Sequence, residues 1–472
     1  MTSTTVAAVD LGATSGRVML GRVSDDGIRL EESARFETGA VRRVDGWHWD
    51  FAQIFRHLRS GLRTAARTER LDAVGVDAWA VDYGLVRNAA LLGEPFHYRD
   101  DRTERAIEWV HDRVAPAELF ERNGLQFLPF NTLYQLAAER LGSRFSARID
   151  RAERILLIPD LVAALLTGVE ASERTNASTT GLLNATTLNW DDDLLHRLDL
   201  KRELFAPLVD PGTEIAPLAD AGGAPLFTVG SHDTASAVVG VPATDPDFAY
   251  VSCGTWGLAG LELDAPVLTE AAREARFTNE LGVDGRVRFL HNVMGLWILN
   301  ECLRCWRAQD GTADLGMLLE QASNVDACVP LFNVDDPSFL PPGDMPARID
   351  EWFASRGRRA PAGRAEVVRS IIESLAQAFA DTIETAAALT GRAVSVIHVV
   401  GGGSRNDLLC RSLADRSGRR VLAGPSEATA LGNVLVQARA IGAVTGSLDA
   451  LRAFAARSFA PRTFEPRLKS TR

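Results

Sequence analysis

The chain has 472 residues, 46% of them hydrophobic and 24% charged, which is typical of a globular protein with two or three domains. Its formal net charge of −11 disfavours nucleic acid or an anionic membrane surface as the main partner. The chain contains no run of about 18 apolar residues, so we expect no membrane-spanning helix.

Cysteine and lysine are both scarce, and each scarcity restricts the chemistry. Five widely spaced cysteines suit a reducing compartment, and MTSTTVAAVDLG indicates a strand rather than a signal peptide, so we predict a cytoplasmic location. Cys302 and Cys305 form a single C-x-x-C without a second pair or a nearby histidine, which disfavours zinc or redox use. Neither of the two lysines, Lys201 and Lys469, follows a glycine loop. Any ATP site must therefore belong to a nucleotide fold that needs no lysine.

The first predicted element is a hairpin, with strands at 6–10 and 17–20 around a small-residue turn. Residues 73–86 predict strands with a polar interruption. Helical periodicity follows, and then a stretch rich in Pro, Gly and Ala that indicates a loop and a boundary. The helical segments are 103–122, 133–142 and 158–166, and the loop is 204–230.

A second strand–turn–strand pattern at 248–261 resembles the opening hairpin. Further on, a long helical pattern at 364–390 ends at Gly391, and a strand at 394–400 leads into three glycines and a helix that opens at Ser404. Two similar openings predict a duplicated α/β architecture with a cleft between the halves. We place the domains at residues 1–242 and 243–472.

The turn Gly12–Gly16 suits phosphate binding because small residues let backbone N–H groups approach phosphate oxygens, and its hydroxyls add donors. Arg17 supplies the positive charge, and Asp10 is positioned to hold Mg²⁺ through water. The alternative is an ordinary hairpin turn. The second pattern, with Gly254 and Thr255, favours phosphate because two such turns can face one cleft.

Gly401, Gly402 and Gly403 lie between a predicted strand and a helix. A tight turn explains some of these glycines, but three in a row also form a flat backbone surface for a purine and a ribose. We favour contact with a nucleotide.

Gly230–Thr234 follows the loop-rich stretch and contains Asp233. A kinase that phosphorylates a hydroxyl needs one base to accept the hydroxyl proton, and a partly dehydrated carboxylate suits that role. Asp is also favoured at helix N-caps, and composition alone favours the cap.

Three of these segments together resemble the FGGY family of carbohydrate kinases: VDLGATSGRVML, VSCGTWGLAG and VVGGGSRN. The resemblance implies an α/β fold with two actin-like (ribonuclease H-like) ATPase domains, and it implies ATP and Mg²⁺ as cofactors. It implies ATP contacts from Ala13, Thr14, Ser15, Gly16, Arg17, Thr255, Asn300 and Gly402.

Further segments resemble the family members that phosphorylate L-rhamnulose at its 1-hydroxyl. These segments are VDAWAVDYGL, YRDDRT, NGLQFLPFNTLYQL, TNASTTGLLN, SHDTASAV and HNVMGLW. The resemblance implies that Asp233 is the catalytic base. It implies sugar contacts from Ala80, His232, Asp233, Thr234, Asn292, Asn131 and Gln135.

Two positions depart from that pattern. Ala80 stands where the family has glycine, and Asn300 stands where it has glutamine near the nucleotide. A kinase of another ketose, such as L-fuculose or a pentulose, therefore remains an alternative. A nucleotide switch of the actin or Hsp70 kind and a regulatory sugar-binding module are less favoured, because neither needs a base such as Asp233. No obligate protein partner is indicated.

Overall fold

The computed structural model of the chain describes residues 3–142 and 146–467. The chain divides into two compact units. The first unit consists of residues 1–244, 262–289 and 428–459, and the second of residues 245–261, 290–427 and 460–472. The units interleave along the chain, and a single boundary between residues 242 and 243 stays a prediction.

The described residues up to 244 contain thirteen strands and nine α-helices. The strands are β1 (Thr4–Leu11), β2 (Ser15–Ser24), β3 (Gly27–Glu37), β4 (Ala40–Arg43), β5 (Gly46–Trp49), β6 (Ala73–Ala78), β7 (Tyr83–Arg87), β8 (Ala90–Leu91), β9 (Arg154–Leu157), β10 (Ser172–Glu173), β11 (Leu208–Val209), β12 (Glu214–Pro217) and β13 (Pro225–Phe227). The helices are α1 (Phe51–Thr68), α2 (Glu104–His111), α3 (Pro116–Asn123), α4 (Thr132–Leu141), α5 (Ser146–Ile149), α6 (Ile158–Thr167), α7 (Arg174–Ala177), α8 (Asp192–Arg197) and α9 (Asp233–Val239).

From residue 245 to 467 the strands are β14 (Phe248–Cys253), β15 (Gly257–Leu263), β16 (Thr278–Leu281), β17 (Val287–Val293), β18 (Val396–Val400), β19 (Arg420–Ala423) and β20 (Arg462–Phe464). The helices there are α10 (Glu270–Glu274), α11 (Trp297–Asp310), α12 (Leu315–Ser323), α13 (Met345–Ala354), α14 (Gly363–Thr390), α15 (Asp407–Ser417), α16 (Ala428–Ala440) and α17 (Leu448–Ser458).

The first unit is built on a six-stranded sheet in the order β12-β13-β6-β1-β2-β3. β1 pairs antiparallel with β2 and parallel with β6, and β6 pairs parallel with β13. The apolar run of β1 is buried on both faces. Ala7, Val9 and Leu11 join a core with α1 and α6, whereas Val6 and Ala8 join a core with α16 and α17. Because both faces are covered, the strand is a continuous apolar run instead of an alternating one.

The second unit repeats this order of strand directions. β14 pairs antiparallel with β15 and parallel with β18, β18 pairs parallel with β19, and β19 pairs antiparallel with β20. β18 is buried along its whole length, and α14 packs against α15. The predicted duplication of an α/β scheme that begins with a hairpin is therefore observed in the strand pairings.

Several element predictions need correction. The helical pattern at 103–122 is two helices, α2 and α3, because Pro116 takes the first helical position of α3 after an extended Ala115. The helix expected from Ser404 begins at Asp407, where the Asn406 side chain caps it by accepting from the Leu409 N–H. The stretch 204–230 is more than a loop, because β12 and β13 complete the edge of the first sheet.

Other predictions are confirmed. α4, α6 and α14 lie where the periodicity placed them, and α14 ends at Gly391, whose φ of 67° is left-handed. None of the helices in the described part of the chain combines the length and apolarity that a membrane crossing requires.

Candidate active site

Three segments of the first unit meet at the carboxyl ends of its parallel strands. The Trp79 N–H donates to the Leu11 carbonyl (3.1 Å), and the Ala78 N–H donates to the Ser231 carbonyl (2.9 Å). These bonds bring the ends of β1 and β6 to the start of α9. Carboxyl ends of parallel strands are the usual ligand site of open α/β sheets. The predicted residues Asp10, Ala80 and Asp233 therefore lie at the same end of the sheet, where its parallel strands finish.

The first hairpin turn leaves donors without protein acceptors. The Gly12 N–H closes it on the Ser15 carbonyl (3.0 Å), and Thr38 Oγ1 donates to the Gly12 carbonyl (2.6 Å). Among the described residues, no hydrogen bond uses the N–H of Ala13 or Thr14, and Thr14 is exposed. This arrangement fits the phosphates of a nucleotide.

Two carboxylates lie in register on β1 and β6. Asp10 pairs with Asp77 across the parallel strands, and Arg17 Nη2 lies 2.5 Å from Asp10 Oδ2. Asp77 is fully buried, and its Oδ2 accepts from Asn433 Nδ2 at 2.6 Å. Burial, and then the neighbouring charges of Asp10 and Asp233, raise the pKa of Asp77.

The other oxygen of Asp77 has no hydrogen-bond partner among the residues described. A second cation beside Arg17 would relieve the repulsion between these carboxylates. Asp10 and Asp77 thus fit a Mg²⁺ held through water, although the described residues contain no cluster of three or more metal-ligating side chains.

Asp233 is the first residue of α9 rather than its cap. His232 occupies the cap position without a capping side-chain bond, and the Asp233 carboxylate accepts from Thr234 Oγ1 (3.1 Å). His232 Nε2 lies 3.3 Å from Asp233 Oδ1. The Asp233 side chain is 30% exposed. The interpretation of Asp233 as an N-cap is therefore wrong, and its carboxylate is accessible for chemistry.

Glu173, which no sequence motif marks, holds the loop before Asp233. Its buried carboxylate accepts from the Ser231 N–H (3.0 Å) and hydroxyl (2.5 Å), and from the Thr175 N–H (2.8 Å) and hydroxyl (2.5 Å). Burial raises the pKa of Glu173, and these hydrogen bonds oppose the rise. Glu173 thus ties the TNASTTGLLN segment to SHDTASAV.

Ala80 lies in a strained turn. The Asp82 N–H donates to the Ala80 carbonyl at 2.9 Å, and Val81 between them has a φ of 66°. Such a three-residue turn is rare, and a β-branched residue at positive φ costs about 1–3 kcal/mol, so surrounding contacts must hold it.

Asp82 supplies those contacts. Its buried carboxylate accepts from Trp49 Nε1 (2.6 Å), Trp79 Nε1 (3.1 Å), Gln135 Nε2 (2.9 Å) and the Tyr98 N–H (3.2 Å). Burial raises the pKa of Asp82 to about 6, although these donors oppose the rise.

Gln135 and Asn131 have structural bonds in this unit. Gln135 also donates to the Phe130 carbonyl (2.9 Å) and accepts from Arg102 Nη2 (2.7 Å). Asn131 Oδ1 accepts from the Leu128 N–H (2.9 Å). Both side chains are buried. Gln135 supports the Ala80 turn through Asp82, and direct sugar contact by either residue stays a prediction.

The second hairpin turn lies in the second unit and carries Thr255. The Gly254 N–H closes it on the Trp256 carbonyl (2.8 Å), and the Gly254 and Thr255 carbonyls accept from the N–H groups of Leu296 and Trp297 (both 3.1 Å). Gly295 permits this approach, because a Cβ there would lie 2.4 Å from the Trp256 carbonyl carbon. The HNVMGLW segment is thereby attached to the turn.

Asn292 and Asn300 flank that attachment. Asn292 lies near the end of β17, and Asn300 is exposed on α11. Asp335, which no sequence motif marks, lies nearby in the same unit. Its carboxylate lies 3.1 Å from His291 Nε2 and accepts from the Met294 N–H (3.0 Å). The roles of Asn292 and Asn300 stay predictions.

The three consecutive glycines differ in what they require. Gly401 has a φ of 77°, and a Cβ on Gly403 would lie 2.4 Å from Cys253 Sγ. Gly402 has neither constraint: it is exposed, and a Cβ added there would meet open space among the described residues. Backbone conformation therefore explains Gly401 and packing explains Gly403, whereas Gly402 presents bare backbone. In the same unit, a cavity of about 270 Å³ is lined by residues that include Ser404, Arg405 and Ser426.

Family models match both halves of the chain. The model of the N-terminal domain of the FGGY family of carbohydrate kinases matches residues 5–240, and that of the C-terminal domain matches residues 249–441. The chain belongs to the FGGY family of carbohydrate kinases. The two-domain α/β fold and the sugar-kinase class expected from the sequence are confirmed.

Individual relatives agree with this membership. The chain is 40% identical over 447 residues to a rhamnulokinase of Bacteroides thetaiotaomicron, covering 93% of this chain and 91% of the relative. It is 38% identical to a rhamnulokinase of Enterococcus faecalis (93% and 90% covered) and 35% identical to one of Bacillus subtilis (91% and 89% covered).

Solved structures share the fold at low identity. A ligand-bound xylulose kinase from Lactobacillus acidophilus has a TM-score of 0.79 at 18% identity, covering 99% of this chain and 94% of that one. A glycerol kinase from Plasmodium falciparum with ADP has a TM-score of 0.78 at 14% identity, covering 98% and 94%. These structures show the fold alone, and the fold does not identify the substrate.

Proposed function

We propose that the protein transfers the γ-phosphoryl group of ATP to the 1-hydroxyl of L-rhamnulose, giving L-rhamnulose 1-phosphate. One observation carries the proposal: Asp233, Asp10 and the Ala80 turn lie at the same end of the sheet in a chain that is 35–40% identical to rhamnulokinases along nearly its whole length. Kinases of this kind need positioning, charge neutralisation and one base.

Asp233 is the general base in this proposal, because its carboxylate is accessible and acceptor-only when ionised. Mg²⁺–ATP supplies the phosphoryl group and neutralises its charge. Asp10 holds the metal through water, and nucleotide contacts come from Ala13, Thr14, Ser15, Gly16, Arg17, Thr255, Asn300 and Gly402.

Sugar recognition uses mostly neutral groups. The proposed contacts are Ala80, His232, Thr234, Asn292, Asn131 and Gln135. Neutral amides and hydroxyls suit a sugar, because a wrong stereoisomer leaves a buried donor or acceptor unpaired. We place the reaction in the cytoplasm, where ATP is available and the five free cysteines stay reduced.

Ala80 favours one second candidate, a kinase of another ketose. The added methyl group occupies space that the family's glycine leaves open, so it can alter which sugar fits.

Coupled ADP release tests both candidates. The sugars are L-rhamnulose, L-fuculose, L-ribulose, D-xylulose and glycerol, each with Mg²⁺–ATP. We expect kcat/KM to be highest for L-rhamnulose. A higher value for another ketose would transfer the proposal to that sugar, and Ala80→Gly would test whether the methyl group is responsible. No sugar-dependent ADP release would refute the kinase proposal.

A further inference from the structure

A fully buried arginine contacts the histidine next to the proposed base. Arg288 on β17 has no exposed side-chain surface. Its Nη2 lies 3.0 Å from His232 Nδ1 and 3.1 Å from Glu280 Oε2, and its Nε donates to the Leu281 carbonyl at 3.1 Å. Arg288, Glu280 and His232 all belong to the first unit.

The contact between Arg288 and His232 restricts the imidazole. A guanidinium has only donors and stays protonated in proteins, so at 3.0 Å the Nδ1 of His232 must accept. A neutral imidazole that accepts at Nδ1 carries its proton on Nε2. That Nε2 lies 3.3 Å from Asp233 Oδ1, so its N–H lies next to the carboxylate.

Glu280 keeps the arginine in place. Burial by itself raises the pKa of Glu280, but the neighbouring charge of Arg288 opposes burial, and the pKa lies below its ordinary value. Glu280 Oε2 also lies 3.3 Å from His232 Nδ1. Without Arg288, this carboxylate would attract a proton to Nδ1.

We propose that Arg288, held by Glu280, is a positioning residue that fixes His232 in the tautomer with hydrogen on Nε2, so that an N–H faces the Asp233 carboxylate. The inference rests on the proposed function, in which Asp233 is the base. Orientation of a catalytic group by a neighbour that is itself held by a third group is a recurring arrangement in enzymes. Here the Nε2–H keeps the carboxylate oriented before the sugar hydroxyl loses its proton.

Nitrogen NMR of protein with ¹⁵N-labelled histidine reads the tautomer without any turnover. The His232 signals are assigned by their loss in His232→Gln. In the unmodified protein at neutral pH, we expect a bare Nδ1 and a protonated Nε2. In Arg288→Met we expect Nδ1 to become protonated, because the Glu280 carboxylate, 3.3 Å from it, then faces it without the competing guanidinium.

Two further variants separate this role from a general loss of structure. In Arg288→Met/Glu280→Gln, the new amide can donate to Nδ1 and no buried charge is left unpaired, so we expect the Nε2–H tautomer to return. Arg286→Met is the matched control on the same segment. Arg286 pairs with Asp264, and its Nε lies 3.5 Å from Glu262 Oε2.

Kinetics give a second readout. We expect kcat with the best ketose to fall on the order of ten-fold or more in Arg288→Met, as for a misoriented catalytic group, with KM for ATP little changed. The double variant should recover most of the loss, and Arg286→Met should show none.

A protonated Nδ1 in the unmodified protein, or a His232 tautomer that is unchanged in Arg288→Met, would overturn the inference. So would a double variant that folds but keeps Nδ1 protonated. These results are independent of the sugar panel: if no ketose is phosphorylated, the proposed function fails while the tautomer is still measured.

Discussion

The two hairpins share a scaffold but differ in charge. β1–β2 and β14–β15 each close on a glycine N–H, around four residues (12–15) in the first and three (254–256) in the second. In the first, Asp10 faces Arg17 on one side and Asp77 on the other. At the equivalent positions of the second, Ser252 faces Leu258 and Val400.

The pattern of strand pairing is therefore independent of the ionisable side chains that the strands carry. The same antiparallel and parallel pairings tolerate three ionisable side chains in one unit and none in the other. A duplicated scaffold can therefore assign metal and base to the first unit and neutral contacts, such as the Thr255 turn and Gly402, to the second.

The largest expected effect tests whether catalysis depends on the charged residues of the first unit. We expect Asp233→Asn to lower kcat by a factor on the order of 10² or more, because it removes the base, while ATP binding persists. Asp192→Asn is the matched control, since Asp192 is also the first residue of a helix but is exposed and paired with Arg202 at 3.2 Å. Initial rates and nucleotide binding measure both. Near-normal turnover in Asp233→Asn would remove Asp233 from the mechanism.

A graft of the second hairpin onto the first tests the role of charge directly. The double variant Asp10→Ser/Arg17→Leu gives β1 and β2 the residue types found at the equivalent positions 252 and 258. We expect kcat/KM for Mg²⁺–ATP to fall on the order of 10²-fold, as when preorganised charge stabilisation is lost.

Circular dichroism of the grafted variant should stay native, because the second unit already folds with those residues. Ser252→Ala is the control and should change kcat/KM little. A grafted variant that keeps its Mg²⁺–ATP kinetics would show that the charges of the first hairpin are dispensable.

Two glycines of the second unit test whether its uncharged backbone contacts the nucleotide. We expect Gly403→Ala to lower the free energy of unfolding by about 1–3 kcal/mol, because its methyl group would overlap Cys253 Sγ. Gly402→Ala has open space and should keep stability but raise KM for ATP. Urea unfolding and ATP kinetics separate the two effects. Unchanged ATP kinetics in a stable Gly402→Ala would exclude that backbone as a nucleotide contact.

The smallest expected effect concerns Asp82. Its folded-state pKa of about 6 lies above the ordinary value, so between these values the folded state binds the proton more tightly. Asp82 therefore weakens folding above pH 6, and the penalty is relieved as pH falls. Relative to Asp82→Asn, the unmodified protein should gain about 1 kcal/mol between pH 7 and pH 5.

Urea unfolding of both proteins at the two pH values measures this gain. Asp101→Asn, a change of an exposed aspartate, should show no such difference. A stability gap between the unmodified protein and Asp82→Asn that is independent of pH would contradict the assigned pKa.

Much of the scaffold could be predicted, because its signals are local. The apolar run of β1 and its small-residue turn indicated the first hairpin, and the same pattern at 248–261 indicated the second. Helix ends were less reliable where one residue decided them, as with Pro116 and Asn406. The segment with Asp233 was recognised, but its N-cap interpretation was wrong because the cap position went to His232.

The hairpins, the long helix that ends at Gly391 and the family segments could be predicted from the sequence, since each pattern consists of residues that are neighbours along the chain. Only the tertiary structure decided that Glu173 holds Ser231, that Asn433 reaches Asp77 across 356 positions, and that Arg288 faces His232. No local pattern marks a buried carboxylate or guanidinium as a partner for a distant group. Its pairing depends on which polar groups folding removes from water together, because each must then bond to another.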